Sequence, residues 1–226
     1  MATRYKTPEN WIQEYLQPRH PELVEPFRRA GKITEVALQT ENLADSDLGI
    51  LLEHATSGKA ILSDNVGDML GKLANTFPSA QQALETMAQS KKVSTRAQAL
   101  ASLLFVPPCP LHERVYTATL KDRSKKIRRL AAHNIRLQGM AVLLPALTHA
   151  IACETDADTC QHMQYNLALL QDGYWQERID PDTIRITCCS KGSTWSRVFS
   201  NDQFETAGRA WLETKVAEWK KHWYLP

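Results

Sequence analysis

The chain has 226 residues, of which 43% are hydrophobic and 23% are charged, and its formal net charge is +2. This composition is typical of a globular protein, and the length is sufficient for one or two domains with a substantial core. The sequence contains neither an apolar run long enough to span a membrane nor the apolar segment of a secretory signal, which excludes these classes and predicts a cytoplasmic protein. Five cysteines without a framework spacing indicate reduced thiols.

The N-terminal third predicts helices over about 9–17, 21–39, 46–55 and 59–76. Gly58 lies 32 residues before Ser90, which is the turn of the next helical pair. The same interval of 32 residues separates the copies of a helical repeat in the middle of the chain, which is described next. We therefore interpret the last two of these helices as a degenerate copy of that repeat.

A pair of helices recurs at a fixed spacing in the middle of the chain. Pro78 and Pro110 each begin an apolar-periodic run, Arg96 and Arg128 each lie near the start of the second run, and the two intervals are equal. Pro145 begins a third, looser copy. Proline fits the first turn of a helix because its missing N–H is not needed there. The period of about 32 residues is typical of a helical solenoid, in which stacked hairpins bury each other's apolar faces.

Four short runs carry a known repeat pattern: Leu120-Lys121-Asp122, Ile127-Arg128, Ala131-Ala132 and Leu144-Pro145-Ala146-Leu147. They resemble the HEAT-type repeats, including the related short repeats named after phycobilisome lyases. The resemblance covers about residues 78–171 and implies an all-α, right-handed α-α solenoid. It implies little about function, because such scaffolds carry many activities. The chain departs from the pattern at Ser90, where Asp is expected, and at Gln161, where Arg is expected.

The sequence changes character after Gly173. Residues 183–188 and 194–199 have the composition of two strands joined by the turn signal Lys191-Gly192-Ser193, which predicts a β-hairpin. Asp202 with Glu205 resembles a capping box at the start of a last helix. The apolar stripe of that helix is Phe204, Leu212, Val216, Trp219 and Trp223.

Three segments follow from these patterns. Residues 1–77 hold N-terminal helices, 78–172 hold the HEAT-like repeats, and 173–226 hold a small β-hairpin and a Trp-rich helix that closes the end of the solenoid. The predicted fold is thus a solenoid of helical hairpins with a small C-terminal β-hairpin plus helix.

Charge is distributed unevenly along the chain. Residues 78–136 hold eleven Lys or Arg against three Asp or Glu, whereas 35–70 hold seven acids against one Lys and 150–182 hold seven acids against one Arg. A basic band between acidic flanks is the clearest functional signal in the sequence, because it predicts an anionic partner.

One helix concentrates this positive charge. At 100° per residue, the apolar stripe Ile127, Leu130, Ala131 and Ile135 lies opposite Lys125, Arg129 and Arg136, with Arg128 at the boundary. We expect the stripe to face a neighbouring hairpin and the cations to face outward or into a groove. Because Arg96 and Arg128 occupy the repeat position, we interpret them as structural. The predicted partner-binding residues are Lys121, Arg123, Lys125, Arg129, Arg136 and, in the hairpin, Trp195, whose polar neighbours favour exposure.

The alternative for the basic band is a solvated outer face with structural Arg–Asp pairs between repeats. Glu154, Asp156 and Asp158 form an acidic turn, which we interpret as capping and solvation. His149 and Cys153 lie four residues apart and could hold zinc with Cys160 and His162, but no Cys-x-x-Cys is present. Buried thiols are the simpler interpretation, so we predict neither a metal nor another cofactor.

The sequence carries no hydrolase or nucleotide-binding motif. We therefore predict a non-catalytic interaction protein, an adaptor or toxin-immunity type scaffold, whose partner is an acidic protein or, as a second choice, a nucleic acid. The alternative is a DNA-binding enzyme resembling the HEAT-like alkylpurine DNA glycosylases. That family needs aromatic residues and a carboxylate in its DNA groove, and residues 78–171 contain no Trp. A chromophore lyase or chaperone is a third hypothesis that depends on the repeat alone.

Overall fold

The computed structural model describes residues 8–190 and 193–223. Helix accounts for 71% of it, and one three-stranded antiparallel sheet lies near the C-terminus. The chain forms two compact units, Met1–Leu111 and His112–Pro226.

The described part of the first unit is helical. Its elements are α1 (Pro8–Trp11), a π-helical turn (Ile12–Leu16), α2 (Gln17–Arg19), a 3-10 turn (Pro21–Leu23), α3 (Val24–Thr40), α4 (Asp45–Ala55), α5 (Ala60–Ala74), α6 (Pro78–Ala88), α7 (Val93–Leu103) and the first two residues of α8 (Pro110–Thr119). The four helical regions predicted before residue 77 are all present, and α4 and α5 form the hairpin expected at 46–76.

Helices α5 and α7 pack very closely, and two glycines make this possible. A Cβ atom on Gly67 would lie 1.9 Å from the Gln98 amide nitrogen, and one on Gly71 would lie 2.3 Å from the Ser102 carbonyl oxygen. The glycines are one helical turn apart on α5, and their partners follow in the same order one turn apart on α7, so the two helices run in the same direction. The second helices of successive hairpins therefore lie side by side in this unit.

The second unit contains helices followed by the sheet. After α8 come α9 (Lys125–Leu137), a 3-10 turn (Ala141–Leu143), α10 (Leu144–Ala152), α11 (Ala157–Gln171), β1 (Tyr174–Asp180), β2 (Thr183–Ser190), β3 (Ser193–Ser200), α12 (Asn201–Gln203), a π-helical turn (Phe204–Gly208) and α13 (Arg209–Trp223). The predicted repeat helices are present in both units, and Pro78 and Pro110 are the first residues of their helices as expected. The right-handed solenoid arrangement remains a prediction.

The core of the second unit lies partly under α9. Ile127, Ala131 and Ile135 are fully buried, as the apolar stripe predicts, and so is Leu147 of α10. Leu130 is only half-buried, so its predicted position inside the stack is wrong. The reason is its place at the edge of the stripe, where the helix surface turns toward solvent.

The sheet has the strand order β1-β2-β3. The β2–β3 hairpin confirms the predicted strand pair, with Thr183 opposite Ser200 and Cys188 opposite Trp195, while the predicted turn residues Lys191 and Gly192 lie outside the described residues. The prediction missed β1, because its largely exposed side chains give an edge strand no clear alternation of buried and exposed positions. Ile184, Ile186 and Cys188 of β2 form a core cluster with Phe199 and Phe204.

The last helical region begins at a capping box two residues earlier than predicted. The Ser200 hydroxyl accepts a hydrogen bond from the Gln203 N–H, and the Gln203 amide oxygen accepts one from the Ser200 N–H, both at 3.3 Å. The prediction of Asp202 with Glu205 is wrong because Ser200 has the extended backbone that a cap requires, whereas Asp202 is already helical.

Two residues of the predicted C-terminal stripe are buried, Phe204 and Trp219. Leu212 and Val216 are half-buried, and the side chain of Trp223 lies outside the described residues. Gly173 accommodates Trp219: its φ is +82°, and a Cβ there would lie 2.5 Å from the indole. Among the described residues, no helix combines the length and apolar character needed to cross a membrane.

Candidate functional site

The repeat arginines fasten the turns of their own hairpins. Arg96 donates to the carbonyl oxygens of Ser90 at 2.7 Å and Lys91 at 3.1 Å. Arg128 donates to the carbonyl oxygen of Asp122 at 2.7 Å, again six residues earlier. The same side chain makes the same contact in two successive copies of the repeat, which supports the structural interpretation of both arginines.

Arg128 also binds the acidic turn of the next hairpin. Its Nε and Nη2 donate to the two carboxylate oxygens of Glu154 at 2.6 and 2.7 Å, and the Glu154 side chain is only 2% exposed. The N–H groups of Thr155 and Asp156 also donate to this carboxylate, each at 3.0 Å. Hydrogen bonding from Arg128, opposed in part by burial, lowers the pKa of Glu154. A fork-shaped guanidinium on a carboxylate is among the strongest hydrogen-bonded pairs in proteins.

Asp156 is the second acceptor in the acidic turn. It is the N-cap of α11 and accepts from the Thr159 N–H at 2.9 Å and the Thr159 hydroxyl at 2.7 Å. Its other oxygen lies 3.1 Å from Lys125 Nζ, and Arg129 Nη2 lies 3.4 Å from its Oδ1. The hydrogen bonds from Thr159 are the largest cause of its lowered pKa, and Lys125 contributes further. The acidic turn thus caps α11, as predicted. Its carboxylates also form ion pairs with the cations of α9, and the prediction missed these pairs.

A ladder of hydrogen bonds continues this contact along α11. Arg129 Nε donates to the Thr159 hydroxyl at 3.0 Å, and Arg136 Nε donates to the Asn166 amide oxygen at 2.9 Å. The sequence separation is the same in both pairs, so α9 and α11 also run in the same direction. The next hairpin therefore contacts the part of the polar face of α9 that carries Arg129 and Arg136.

The predicted exposure of Arg136 is wrong. This residue is 3% exposed and also contacts Cys189 Sγ at 3.7 Å and His133 Nδ1 at 3.4 Å. A helical wheel identifies the face opposite an apolar stripe, but it does not tell whether another helix covers that face with polar contacts. Arg136 is consequently removed from the candidate partner-binding surface.

Positive charge remains exposed where α8 turns into α9. We call residues 120–126 the α8–α9 corner. Lys121, Arg123 and Lys126 are exposed there, and Lys125 keeps 60% of its side chain exposed beside Asp156. Neither Lys121 nor Lys126 has a carboxylate within ion-pair distance in the described part of the chain. Of the predicted binding residues, Lys121, Arg123 and Lys125 come together at this corner.

Trp195 is a separate candidate and does not belong to the corner. Its exposed fraction is 65%, which confirms the predicted exposure of this residue. It lies on β3, the edge strand of the sheet, directly opposite Cys188.

The thiols near the acidic turn differ from expectation. Cys153 is exposed and Cys160 is half-buried, so the interpretation of both as buried is wrong, because α10 ends at Ala152 and leaves Cys153 in an open turn. Cys153 Sγ lies 3.8 Å from His149 Nε2. No cluster of three or more His, Cys, Asp or Glu side chains arranged to hold a metal ion occurs within residues 8–190 and 193–223.

Comparison of the chain with protein-family models, with curated proteins and with solved structures returned no match in any of the three. The function is therefore inferred from the chain's own residues.

Proposed function

We propose that this protein is a non-catalytic interaction protein that binds an acidic macromolecular partner, an acidic protein in the first instance, through the α8–α9 corner. Lys121, Arg123 and Lys126 carry the contact, and Lys125 contributes from beside Asp156. The observation that supports this most is the exposure of these cations while Arg128, Arg129 and Arg136 are engaged inside the fold.

The electrostatics of the corner favour an incoming anion. Helix α9 begins at Lys125, has no acidic residue in its first turn, and has no side-chain cap from Ser124. The N-terminus of a helix carries a partial positive charge of about half an elementary charge, so lysines at this end are repelled. A carboxylate or phosphate from a partner would relieve that repulsion.

The neighbouring side chains favour a protein partner over single-stranded nucleic acid. Tyr116, the aromatic residue of α8, is fully buried and donates its hydroxyl proton to Gln138 at 2.7 Å. It therefore offers no ring on which an unpaired base could stack, which single-strand binding surfaces generally provide. Binding of the corner to the phosphates of duplex DNA is one of the outcomes that the test can distinguish. No feature of the corner specifically favours the glycosylase alternative.

The test is a double charge reversal, Lys121→Glu with Lys126→Glu, which leaves the internally paired cations intact. The control is Lys220→Glu with Lys221→Glu, which makes the same charge change at two exposed positions of α13. Binding of proteins captured from a cell extract, of duplex DNA and of RNA is measured for all three chains across a salt series. We expect the affinity of the corner variant for its partner to fall at least tenfold, whereas the control variant should bind that partner with the affinity of the parent.

The salt series identifies the partner class. Loss of two phosphate contacts should reduce the log–log salt slope by about two, whereas an acidic protein partner should mainly associate more slowly at high salt. A corner variant that binds every partner of the parent with unchanged affinity would overturn the proposal.

A further inference from the structure

A second feature of the molecule is a cleft between β3 and α13, which we call the tryptophan cleft. It encloses about 330 Å³ and is lined by Cys188, Trp195, Ser196, Arg197, Trp211, Lys215 and Glu218. This volume is at the lower end of the range for small-molecule sites. An indole that is 65% exposed at its rim is unusual, because an apolar ring of this size gains free energy when a ligand covers it.

The strand supplies one wall of the cleft. Trp195, Arg197 and Phe199 alternate along β3 and therefore point to the same face of the sheet, opposite Cys188, Ile186 and Ile184 of β2. The guanidinium of Arg197 lies 5.1 Å from the centre of the Phe199 ring, which holds it beside the cleft. Two residues along a strand advance about 6.6 Å, so the side chains of Trp195 and Arg197 leave the strand at points separated by roughly the span of a sugar.

The helix supplies the other wall. Trp211, Lys215 and Glu218 are spaced at i, i+4 and i+7 and so share one face of α13. Trp211 is fixed by contact with Phe199, with ring centres 5.6 Å apart, and Lys215 pairs with Glu218 at 2.8 Å. Both walls are therefore held by packing contacts of the core cluster.

The charge of the lining selects the sign of the ligand. Two cations, Arg197 and Lys215, face one acid, Glu218, which leaves a formal charge of +1. Arg197 has no carboxylate partner within the part of the chain that the structure describes. Burial raises the pKa of Cys188 to about 11, so the thiol at the base of the cleft is neutral near pH 7.

We propose that the tryptophan cleft binds a planar aromatic anion of the nucleotide class, with the ring on Trp195 and the phosphate on Arg197 and Lys215. The ring would stack on the exposed face of Trp195, and the phosphate would accept charge-assisted hydrogen bonds from Arg197 and from Lys215, which also pairs with Glu218. A cationic ligand would be repelled by the excess positive charge, and a neutral sugar would leave Arg197 without a counterion. The ligand can be a free mononucleotide or one nucleotide of a single strand. This site is independent of the α8–α9 corner.

The experiment is calorimetric titration of the full chain with the four common nucleoside monophosphates. Adenosine and ribose 5-phosphate, which each carry half of the ligand, are titrated in parallel, as is a short single-stranded oligonucleotide. We expect AMP to be among the monophosphates that bind, and adenosine and ribose 5-phosphate each to bind at least tenfold more weakly than AMP. Tighter binding of the oligonucleotide than of any monophosphate would identify a nucleic-acid strand as the source of the ligand.

Three variants assign the binding to the cleft. Trp195→Ala and Arg197→Ala should each weaken the bound monophosphate at least tenfold, and Trp195→Phe should retain most of the affinity because it keeps an aromatic face. Val198→Ala is the matched control, since Val198 is 51% exposed on the same strand but points to the other face. All three positions tolerate change because their side chains are exposed, and circular dichroism verifies the fold. Absence of binding for all four monophosphates at millimolar concentration, or an unchanged affinity in Trp195→Ala, would overturn the proposal.

Discussion

At the scale of single residues, the ion pair between Arg128 and Glu154 combines a fork-shaped contact with a buried carboxylate. Its carboxylate is almost completely buried and accepts from the guanidinium and from two backbone N–H groups. A buried ion pair is not by itself evidence of a large net stabilisation, because both charges lose water. Removal of one partner is costly, however, because it leaves the other charge buried without compensation.

The first prediction is a double-mutant cycle at this pair. Arg128→Met and Glu154→Gln should each lower the free energy of unfolding by about 2–4 kcal/mol, and the double variant should lose less than the sum, with a coupling of about 1–3 kcal/mol. Urea unfolding of the four proteins measures the coupling. Additive losses would show that the two side chains do not interact in solution.

Burial also distinguishes two leucines that the sequence treats alike. Leu147 is fully buried, whereas Leu130 is half-buried. We expect Leu147→Ala to lower the free energy of unfolding by about 2–5 kcal/mol, because it leaves a cavity, and Leu130→Ala to cost about 1 kcal/mol. Equal urea midpoints for the two variants would contradict the burial seen in the structure.

The residue scale also shows where prediction from sequence ends. Exposure of Trp195 could be predicted from its polar neighbours, and the structural role of Arg128 from its repeat position. Burial of Arg136 could not, because its partner Asn166 is uncharged and therefore gives no charge pattern that could be matched to the arginine. The pairing of α9 with the acidic turn had a signal that could have been used, since the cations and acids are separated by 26 to 31 residues, close to one repeat.

At the scale of elements, α9 and α11 form an interface that is polar, charged and sensitive to pH. His133 lies on α9 and His162 on α11, and burial is the largest cause of the lowered pKa of both. Arg136 lowers the pKa of His133 further, and Arg129 does the same for His162. Both imidazoles therefore bind a proton less readily in the folded chain than in the unfolded chain.

The third prediction concerns the stability of this interface between about pH 7.5 and pH 5.5. The unfolded chain binds protons on these histidines near pH 6.5, whereas the folded chain resists them, so stability falls as the pH falls. Glu154 and Asp156 add a second loss that begins below about pH 4, because the unfolded chain protonates these carboxylates there while the folded chain, in which their pKa values are lowered, still keeps them charged.

Urea midpoints measured across this range test the prediction. The double variant His133→Gln with His162→Gln should show a smaller decrease between about pH 7.5 and pH 5.5 than the parent. Asp68 of α5 acts in the opposite direction, because burial raises its pKa to about 6 and protonation there favours the folded state. The comparison is therefore repeated in an Asp68→Asn background. Parallel curves for parent and double variant would show that the histidines are not responsible.

Element boundaries were predictable where local chemistry decides them. Prolines at helix starts, polar turns and the β-rich alternation of 183–188 gave helices and strands close to those observed. The strand β1 and the Ser200 cap were missed because an exposed edge strand and a strand-to-helix junction depend on tertiary pairing.

At the scale of the whole molecule, the positive charge of residues 121–136 divides into two sets. A paired set, Lys125, Arg128, Arg129 and Arg136, contacts the next hairpin or the sheet, although Lys125 also keeps 60% of its side chain exposed. An outward set, Lys121, Arg123 and Lys126, remains exposed at the α8–α9 corner. The sequence predicted the excess of charge but could not predict this separation, because both sets lie within the short segment 121–136 and have the same composition.

The most direct test of this separation compares the urea midpoints of two variants with the same change in charge. Lys125→Glu with Arg129→Glu places acids beside Asp156, and we expect it to lower the free energy of unfolding by about 1–3 kcal/mol through lost pairing and like-charge repulsion. Lys121→Glu with Lys126→Glu should leave the midpoint unchanged or raise it, since an acid in the first turn of a helix is stabilising by about 0.3–1 kcal/mol. Equal losses in the two variants, or a larger loss in the second, would contradict the account.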